Sequence, residues 1–384
     1  NPRALGQYLA FNHTLGPECM LEGVRKLEPA HYLLVQREGP SAPVEYWSPA
    51  AHFRTKRRFS DSREAAESLR SELDRAVRLR LVSDVALGAF LSGGLDSSSV
   101  VAAMCGLRRA DVNETFSIGF QQDTYSELPW ARAAAKAVGL ARHHEQVVSA
   151  DLPAALPDIV RASGEPVADS SMIPMYYLAK LARERVTVCL SGDGADEMLA
   201  GYETYVADRL RHASWFVPRI VSRTAGSLIG RVWPASFDKV SAHEKFRRFL
   251  AGHSLPFRRA HASWRTIFDE GERRSLVRPE HHDAVLGADP LDAYDRHFDA
   301  VRDCHYLDQA MYVDLKTWLA DDVLVKVDRM TMAHSLESRA PFLDHHFIEF
   351  AASLPIELKL SGLTTKTLLK RSQVGRLPQA LIER

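Results

Sequence analysis

The clearest pattern along the chain is a series of short apolar runs without helical spacing, set between segments that have it. Val85–Leu91 (VALGAFL) is mostly apolar with no three-to-four repeat, which suits a strand buried on both faces of a sheet. Glu114–Phe120 (ETFSIGF), His144–Val148 and Val186–Leu190 (VTVCL) have the same texture. Helical stretches lie between and around them. Asp61 and its neighbouring serines supply a helix start, and Ala65, Leu69, Leu73, Val77 and Leu81 keep one apolar face to about Val82. Val100, Val101 and Met104 restore helical order after the first strand, and Ser126–Val138, Asp151–Ala162 and Met172–Arg185 read as helices. Strands alternating with helices predict an α/β fold, a doubly wound and mainly parallel sheet. Beyond residue 200 no further strand is predicted; the chain there reads as helical, with loops near Trp233-Pro234 and Gly287–Pro290.

The first fifty residues have another texture. Leu5–Phe11 suits a helix, Leu15–Glu22 a loop, and Gly23–Leu27 and His31–Gln36 short strands around Glu28-Pro29. A turn-rich break over Gly39–Pro43 precedes a strand at Glu45-Tyr46-Trp47. Residues 1–50 read as the tail of a preceding, mostly β domain, 51–60 as a polar, basic linker, and 61–384 as the main domain. Within that domain the α/β core runs to about 212 and the remainder is helical.

A chain of 384 residues can bury a large core. Lys plus Arg and Asp plus Glu stand at 49 each, so charge gives no general pull towards nucleic acid or an anionic membrane. Cys19, Cys105, Cys189 and Cys304 form neither a CxxC nor a disulfide framework, and reduced thiols in the cytoplasm are the simplest expectation. No apolar run reaches the roughly 18 residues of a membrane helix. The chain begins at Asn1 and stops at Arg384 without punctuation; both ends read as cuts through a longer protein.

Two of the apolar runs end in glycine-rich corners that carry acid. The first is Ser92-Gly93-Gly94-Leu95-Asp96-Ser97-Ser98. Glycines let backbone approach a bulky anion, and the first N–H groups of the helix with the serine hydroxyls can hold phosphate oxygens. Asp96 would repel a bare polyphosphate, so it makes sense with a bridging divalent cation, for which hard oxygen ligands suit Mg²⁺. For SGG alone an ordinary tight turn would suffice. There is no GxxxxGK[ST] and no GxGxxG, which excludes a Walker loop and argues against a dinucleotide site. SGGLDSS resembles the pyrophosphate (PP) loop of the ATP-pyrophosphatase superfamily, whose members cleave ATP between the α and β phosphates. The second corner is Ser191-Gly192-Asp193-Gly194-Ala195-Asp196-Glu197. Two such corners at one sheet edge would face each other across a cleft, although a capped helix start also accounts for acid here.

With Asp328–Ala333, Leu336–Asp344 and Lys366 in TTKTLLK downstream, the order and spacing of these motifs resemble the synthetase domain of class B asparagine synthetases, from about residue 3 to the end. The first fifty residues resemble the last strands of that family's glutaminase domain. The resemblance implies an α/β PP-loop fold with a large helical C-terminal part. It also implies ATP-dependent adenylation of a carboxylic acid, L-aspartate above others, followed by transfer of ammonia that full-length members take from glutamine. Leu91 and Ile118 would border the adenine or ribose; Ser92, Gly93, Gly94, Ser97 and Ser98 would hold the pyrophosphate, with Ser191 and Gly192 contributing. Asp96 and Asp196 would ligate Mg²⁺, and Lys366 would sit on the phosphates. Asp193, where many members carry Glu, would position the intermediate or accept a proton from the attacking ammonia. With no cysteine at the start, this chain would depend on added ammonium. A homodimer is implied.

Without the resemblance, Lys366 reads as one more surface lysine beside Lys359 and Lys370. Asp322, Lys326 and Arg329 share a helical face, either ion-paired against a neighbour or closing the substrate cleft. Glu337 and Arg339 are candidates for the substrate's ammonium and carboxylate, Arg339 equally for a structural ion pair. Adjacent pairs such as His143-His144 diverge on a strand and make no metal site. Two further readings remain: an amide ligase closing β-lactam or peptide rings with an internal amine, and a catalytically silent relative.

Overall fold

The structure, a computed structural model, describes residues 1–107, 113–120, 126–148, 152–214 and 242–384. The chain divides into two compact units, residues 45–201 with 318–384 and residues 1–44 with 202–317.

The first unit is built on five parallel strands, β1 (Leu87–Phe90), β2 (Glu114–Phe120), β3 (Arg142–Val148), β4 (Val188–Leu190) and β5 (Glu337–Arg339), in the order β3-β2-β1-β4-β5. The expected doubly wound sheet is there, and its order reverses between β1 and β4. Ligands in open α/β sheets bind beyond the carboxyl ends of the strands at such a reversal, which is where both glycine corners lie. β5 corrects the expectation of no strand beyond residue 200. Its Glu-Ser-Arg sequence has no apolar run to mark it; pairing with β4 recruits it. Strand and helix ends shift by a few residues: the predicted helices appear as Ser62–Arg80, Leu128–Ala137, Leu152–Ser163 and Met172–Arg183.

The sheet has a dry core on one face. Phe90, Phe116 and Cys189 pack with Ala179, Ala182 and Val186, so that Met172–Arg183 covers the sheet, each large side chain contributing about 2 kcal/mol of burial. Leu95–Leu107 is almost wholly buried, which explains its lack of a polar face. The span read as a polar linker carries a short helix, Ala50–Arg54, whose Phe53 is 1% exposed.

The second unit is helical. Pro2–Phe11 is capped by the Asn1 side chain, which accepts from Ala4 N at 3.2 Å, and Phe11 packs with Tyr294, Phe298 and Val313. Only two-residue strands occur in residues 30–45: His31–Tyr32, Val35–Gln36 pairing antiparallel with Gly39–Pro40, and Val44–Glu45. The strand expected at Gly23–Leu27 reduces to one bridge, Glu18 to Arg25. Of the two loops predicted here, Gly287–Pro290 is present and Trp233-Pro234 lies outside the described residues.

Three helices of this unit share a buried charge cluster. His261 hydrogen-bonds Asp208 through Nδ1 (2.7 Å) and Asp314 through Nε2 (3.2 Å), and Arg265 donates to Asp314 at 3.0 Å. Burial opposes charge on His261, but Asp314 and Asp208 raise its pKa to about 10. A folded-state pKa above the unfolded value of about 6.5 gives stability that is complete below pH 6.5 and lost as pH rises towards 10. We therefore expect the urea midpoint to fall over that window. His261→Leu, which leaves two buried carboxylates short of a partner, should cost about 3–5 kcal/mol at pH 7 and flatten that fall.

Candidate active site

The first corner owes its shape to close approaches. Gly93 has φ +73°, and a Cβ on it would lie 2.3 Å from the carbonyl carbon of Trp130, so the helix Leu128–Ala137 requires glycine there. Ser97 Oγ accepts from Ser92 N at 3.2 Å and meets Ser92 Oγ at 3.0 Å, closing the loop over its own helix start. Leu91, 1% exposed, ends β1, and the Ser117 hydroxyl donates to its carbonyl; Ile118 follows, half-buried, past the last residue of β2 paired to β1.

The second corner follows β4. Ser191 N donates to the Arg339 carbonyl at 2.9 Å, tying the loop to β5. Gly194, at φ +90°, precedes the short helix Ala195–Met198. The two corners touch at Gly192, where a Cβ would stand 2.9 Å from Ser97 N and 3.1 Å from the Asp96 Cβ.

Lys366 joins them. Its ammonium donates to Asp96 Oδ2 at 2.5 Å and lies 2.6 Å from Asp196 Oδ1. It stands at the N-terminus of helix Thr367–Ser372 in a left-handed backbone conformation, φ +52°, which is costly for a non-glycine residue and is held here by the packing around it. Burial works against the ammonium charge, but Asp96 and Asp196 hold its pKa above the ordinary lysine value. Burial pushes Asp96 up, to about 6, against the pull of Lys366 and with the push of Asp196. Gly201 makes room for the trio: a Cβ there would fall 1.9 Å from Asp196 Oδ1 and 2.1 Å from Lys366 Cε.

Two carboxylates facing one ammonium leave an excess of negative charge. Asp96 Oδ1 is buried without a hydrogen-bond partner, and so is the Ser98 hydroxyl. Such atoms are costly unless something binds them. The donor set fits Mg²⁺, which binds through one or two carboxylates and takes its other ligands from phosphates and water. Among the described residues, no group of three or more His, Cys, Asp or Glu side chains is placed to hold a metal, so those other ligands would have to come from substrate.

Asp193 has its carboxyl raised by burial, with Lys326 pulling the other way. Lys326 in turn donates to Asp169 Oδ2 at 2.7 Å, and Asp169 is fixed by Ser171 N and Oγ at 2.8 and 2.7 Å. Of the face predicted from Asp322, Lys326 and Arg329, Lys326 is thus ion-paired to the loop before Met172–Arg183, and Asp169 and Gly201 are the residues that sequence reasoning missed. A π-helical turn, Leu319–Val323, precedes Lys326. Glu337 and Arg339 do not join this arrangement. Arg339 donates to Glu337 at 2.6 Å and to the carbonyls of Arg80 and Val82 at 2.9 and 2.8 Å, so its side chain fastens the end of helix Ser62–Arg80.

Comparison with known proteins gives the family. Residues 68–384 match the asparagine synthase family. Asparagine synthetase [glutamine-hydrolyzing] 1 of Bacillus subtilis is 31% identical over 99% of this chain and 57% of its own length. Asparagine synthetase [glutamine-hydrolyzing] 3 of the same organism is 27% identical over 95% and 54%, and amidase chry2 of Gibberella zeae 25% identical over 88% and 53%. The chain thus spans about half the length of these relatives. With two thirds of its residues and more inside the family's boundaries, and the PP-loop architecture on which that family is built, the chain belongs to the asparagine synthase family.

Proposed function

We propose that this chain is the ATP-dependent ligase part of an asparagine synthetase, converting L-aspartate and ammonia to L-asparagine, AMP and pyrophosphate. The observation that carries it is the Lys366 ammonium between Asp96 and Asp196 at the order reversal of the sheet. The family supports the ligase class; the acceptor and the nitrogen source belong to the proposal.

The corner at Ser92–Ser98 would take the phosphates of ATP, with the Ser98 hydroxyl donating to a phosphate oxygen and Leu91 and Ile118 beside the nucleoside. Mg²⁺ held by Asp96 and Asp196 would offset the phosphate charge. The side-chain carboxylate of aspartate attacks the α-phosphorus, and the bond to pyrophosphate breaks. Lys366 follows the charge that gathers on the leaving pyrophosphate. Ammonia then attacks the activated carbonyl carbon, AMP departs, and Asp193 accepts the proton the nitrogen loses. A raised pKa suits that task, because a stronger base holds the proton better at neutral pH. An acceptor other than aspartate is the second reading, motivated by Asp193 at a position where many family members carry Glu and by the relative named an amidase.

ATP–pyrophosphate exchange separates these readings. Stimulation by aspartate supports the first; stimulation only by another carboxylic acid replaces it with the second; no exchange with any acid sinks both. Lys366→Ala should lower exchange by about 100-fold or more. Gly201→Ala should lower it by at least about tenfold while the urea midpoint moves little, since the methyl displaces side-chain ends. Asp193→Asn should leave exchange within a few-fold of wild type and reduce ammonium-dependent amide formation by about 100-fold; equal losses in both would remove Asp193 from the second step.

A further inference from the structure

The helical unit contains a cavity of about 520 Å³, wholly within residues 1–44 and 202–317 and so separate from the ligase corners. Ligand pockets combine apolar walls with a few convergent polar groups. Here Ala10, Leu255, Leu286 and Leu291 give an apolar wall, and charged side chains of both signs line the rest. Most of these charges are already committed. Arg259 lies 2.5–3.5 Å from Asp289, Asp292 and Asp295. Asp269 and Glu272 close a capping box on each other's backbone at 2.9 and 2.8 Å.

Two charges remain uncommitted, and they share a helix face. Arg273 is 8% exposed, and its one hydrogen bond is from Nε to the Asp269 carbonyl at 3.4 Å. No carboxylate among the described residues pairs with its guanidinium. Glu270, one turn earlier on the helix Glu270–Leu276, is exposed and likewise without a partner. An arginine this far buried without a counter-charge is expensive, and residues three apart on a helix can reach each other, yet these two do not pair. Both line the cavity instead.

We propose that this cavity binds a free α-amino acid with an apolar side chain, its carboxylate on Arg273 and its ammonium on Glu270. The mixed lining is what selects a zwitterion. Four arginines (Arg247, Arg248, Arg259, Arg273) and four acids (Asp269, Glu270, Glu272, Asp289) line it, a balance that favours neither a polyanion nor a polycation, whereas an ammonium next to a carboxylate answers both signs at once. The apolar wall then receives the side chain. This site stands independently of the ligase reading.

Isothermal titration calorimetry on the full chain tests it, with L-leucine, L-methionine and L-phenylalanine as probes. The controls are 4-methylpentanoate, which lacks leucine's ammonium, and isopentylamine, which lacks its carboxylate. At least one amino acid should bind, and Arg273→Gln and Glu270→Gln should each weaken it tenfold or more. Both leucine analogues should be at least tenfold weaker than leucine, and Lys366→Ala should leave binding unchanged. Without added amino acid, the urea midpoint of Arg273→Gln should match or exceed wild type, because no ion pair is lost and the hydrogen bond to the Asp269 carbonyl is long, at 3.4 Å. The idea fails if none of the three amino acids binds, if binding survives Arg273→Gln, if Lys366→Ala abolishes it, or if 4-methylpentanoate binds as well as leucine. It fails equally if Arg273→Gln unfolds while Glu270→Gln binds normally, which would make Arg273 a structural residue.

Discussion

One ammonium shared by two carboxylates governs the α/β unit. Asp96 comes from the turn after β1, Asp196 from the turn after β4, and Lys366 from a helix start far along the chain. Removing water from three such groups costs several kcal/mol per ion, and their mutual attraction repays this only in good geometry. The geometry is secured by residues that contribute nothing charged. Gly192 allows the two turns to touch and Gly201 leaves room for the pair, while Gly93 lets a neighbouring helix close on the first turn. The bridge is therefore weak evidence of stability. It is stronger evidence of a site, because an arrangement with excess negative charge and an orphaned carboxylate oxygen is one that a cation and phosphates would complete.

How much of this could be read from residue order follows from how local each signal is. β1 and β4 were legible because strands buried on both faces must be apolar throughout, and the corners after them because glycine and acid cluster in a few consecutive residues. β5 was not, since its Glu337-Ser338-Arg339 carries no such run and exists as a strand through its pairing with β4. Lys366 shows the limit more sharply. Nothing in TTKTLLK distinguishes it from Lys370, and its importance comes from partners that only the fold brings near. Arg339 was open between substrate and a structural ion pair on residue order alone; in the fold Glu337 and two backbone carbonyls hold its guanidinium, which favours the second.

The missed residues share a cause. Gly201 is required by the side chains of Asp196 and Lys366, and Asp169 by Lys326; each constraint is tertiary, so no window of sequence contains it. Among the described residues, His143 and His144 make the opposite point. They form an adjacent pair that invites a metal reading, but strand alternation sends one to Thr115 and Glu145 and the other onto the Phe116 ring and Glu114. Pattern arguments succeed where periodicity decides direction and fail where distance along the chain hides a partner.

The clusters around His261 and Lys366 differ in what they leave unsatisfied, and that difference separates architecture from chemistry. Around His261, two buried carboxylates meet two cations, and the charges balance; nothing further is needed, and its consequence is a pH-dependent stability. Around Lys366, two carboxylates meet one cation and an acid oxygen has no partner. A balanced cluster holds helices together, whereas an unbalanced one at a sheet's order reversal calls for a ligand. The same reasoning marks Arg273, whose charge has no carboxylate counterpart among the described residues. Residual charge after all internal pairs are counted is thus a better guide to function here than the number of charged residues at a site.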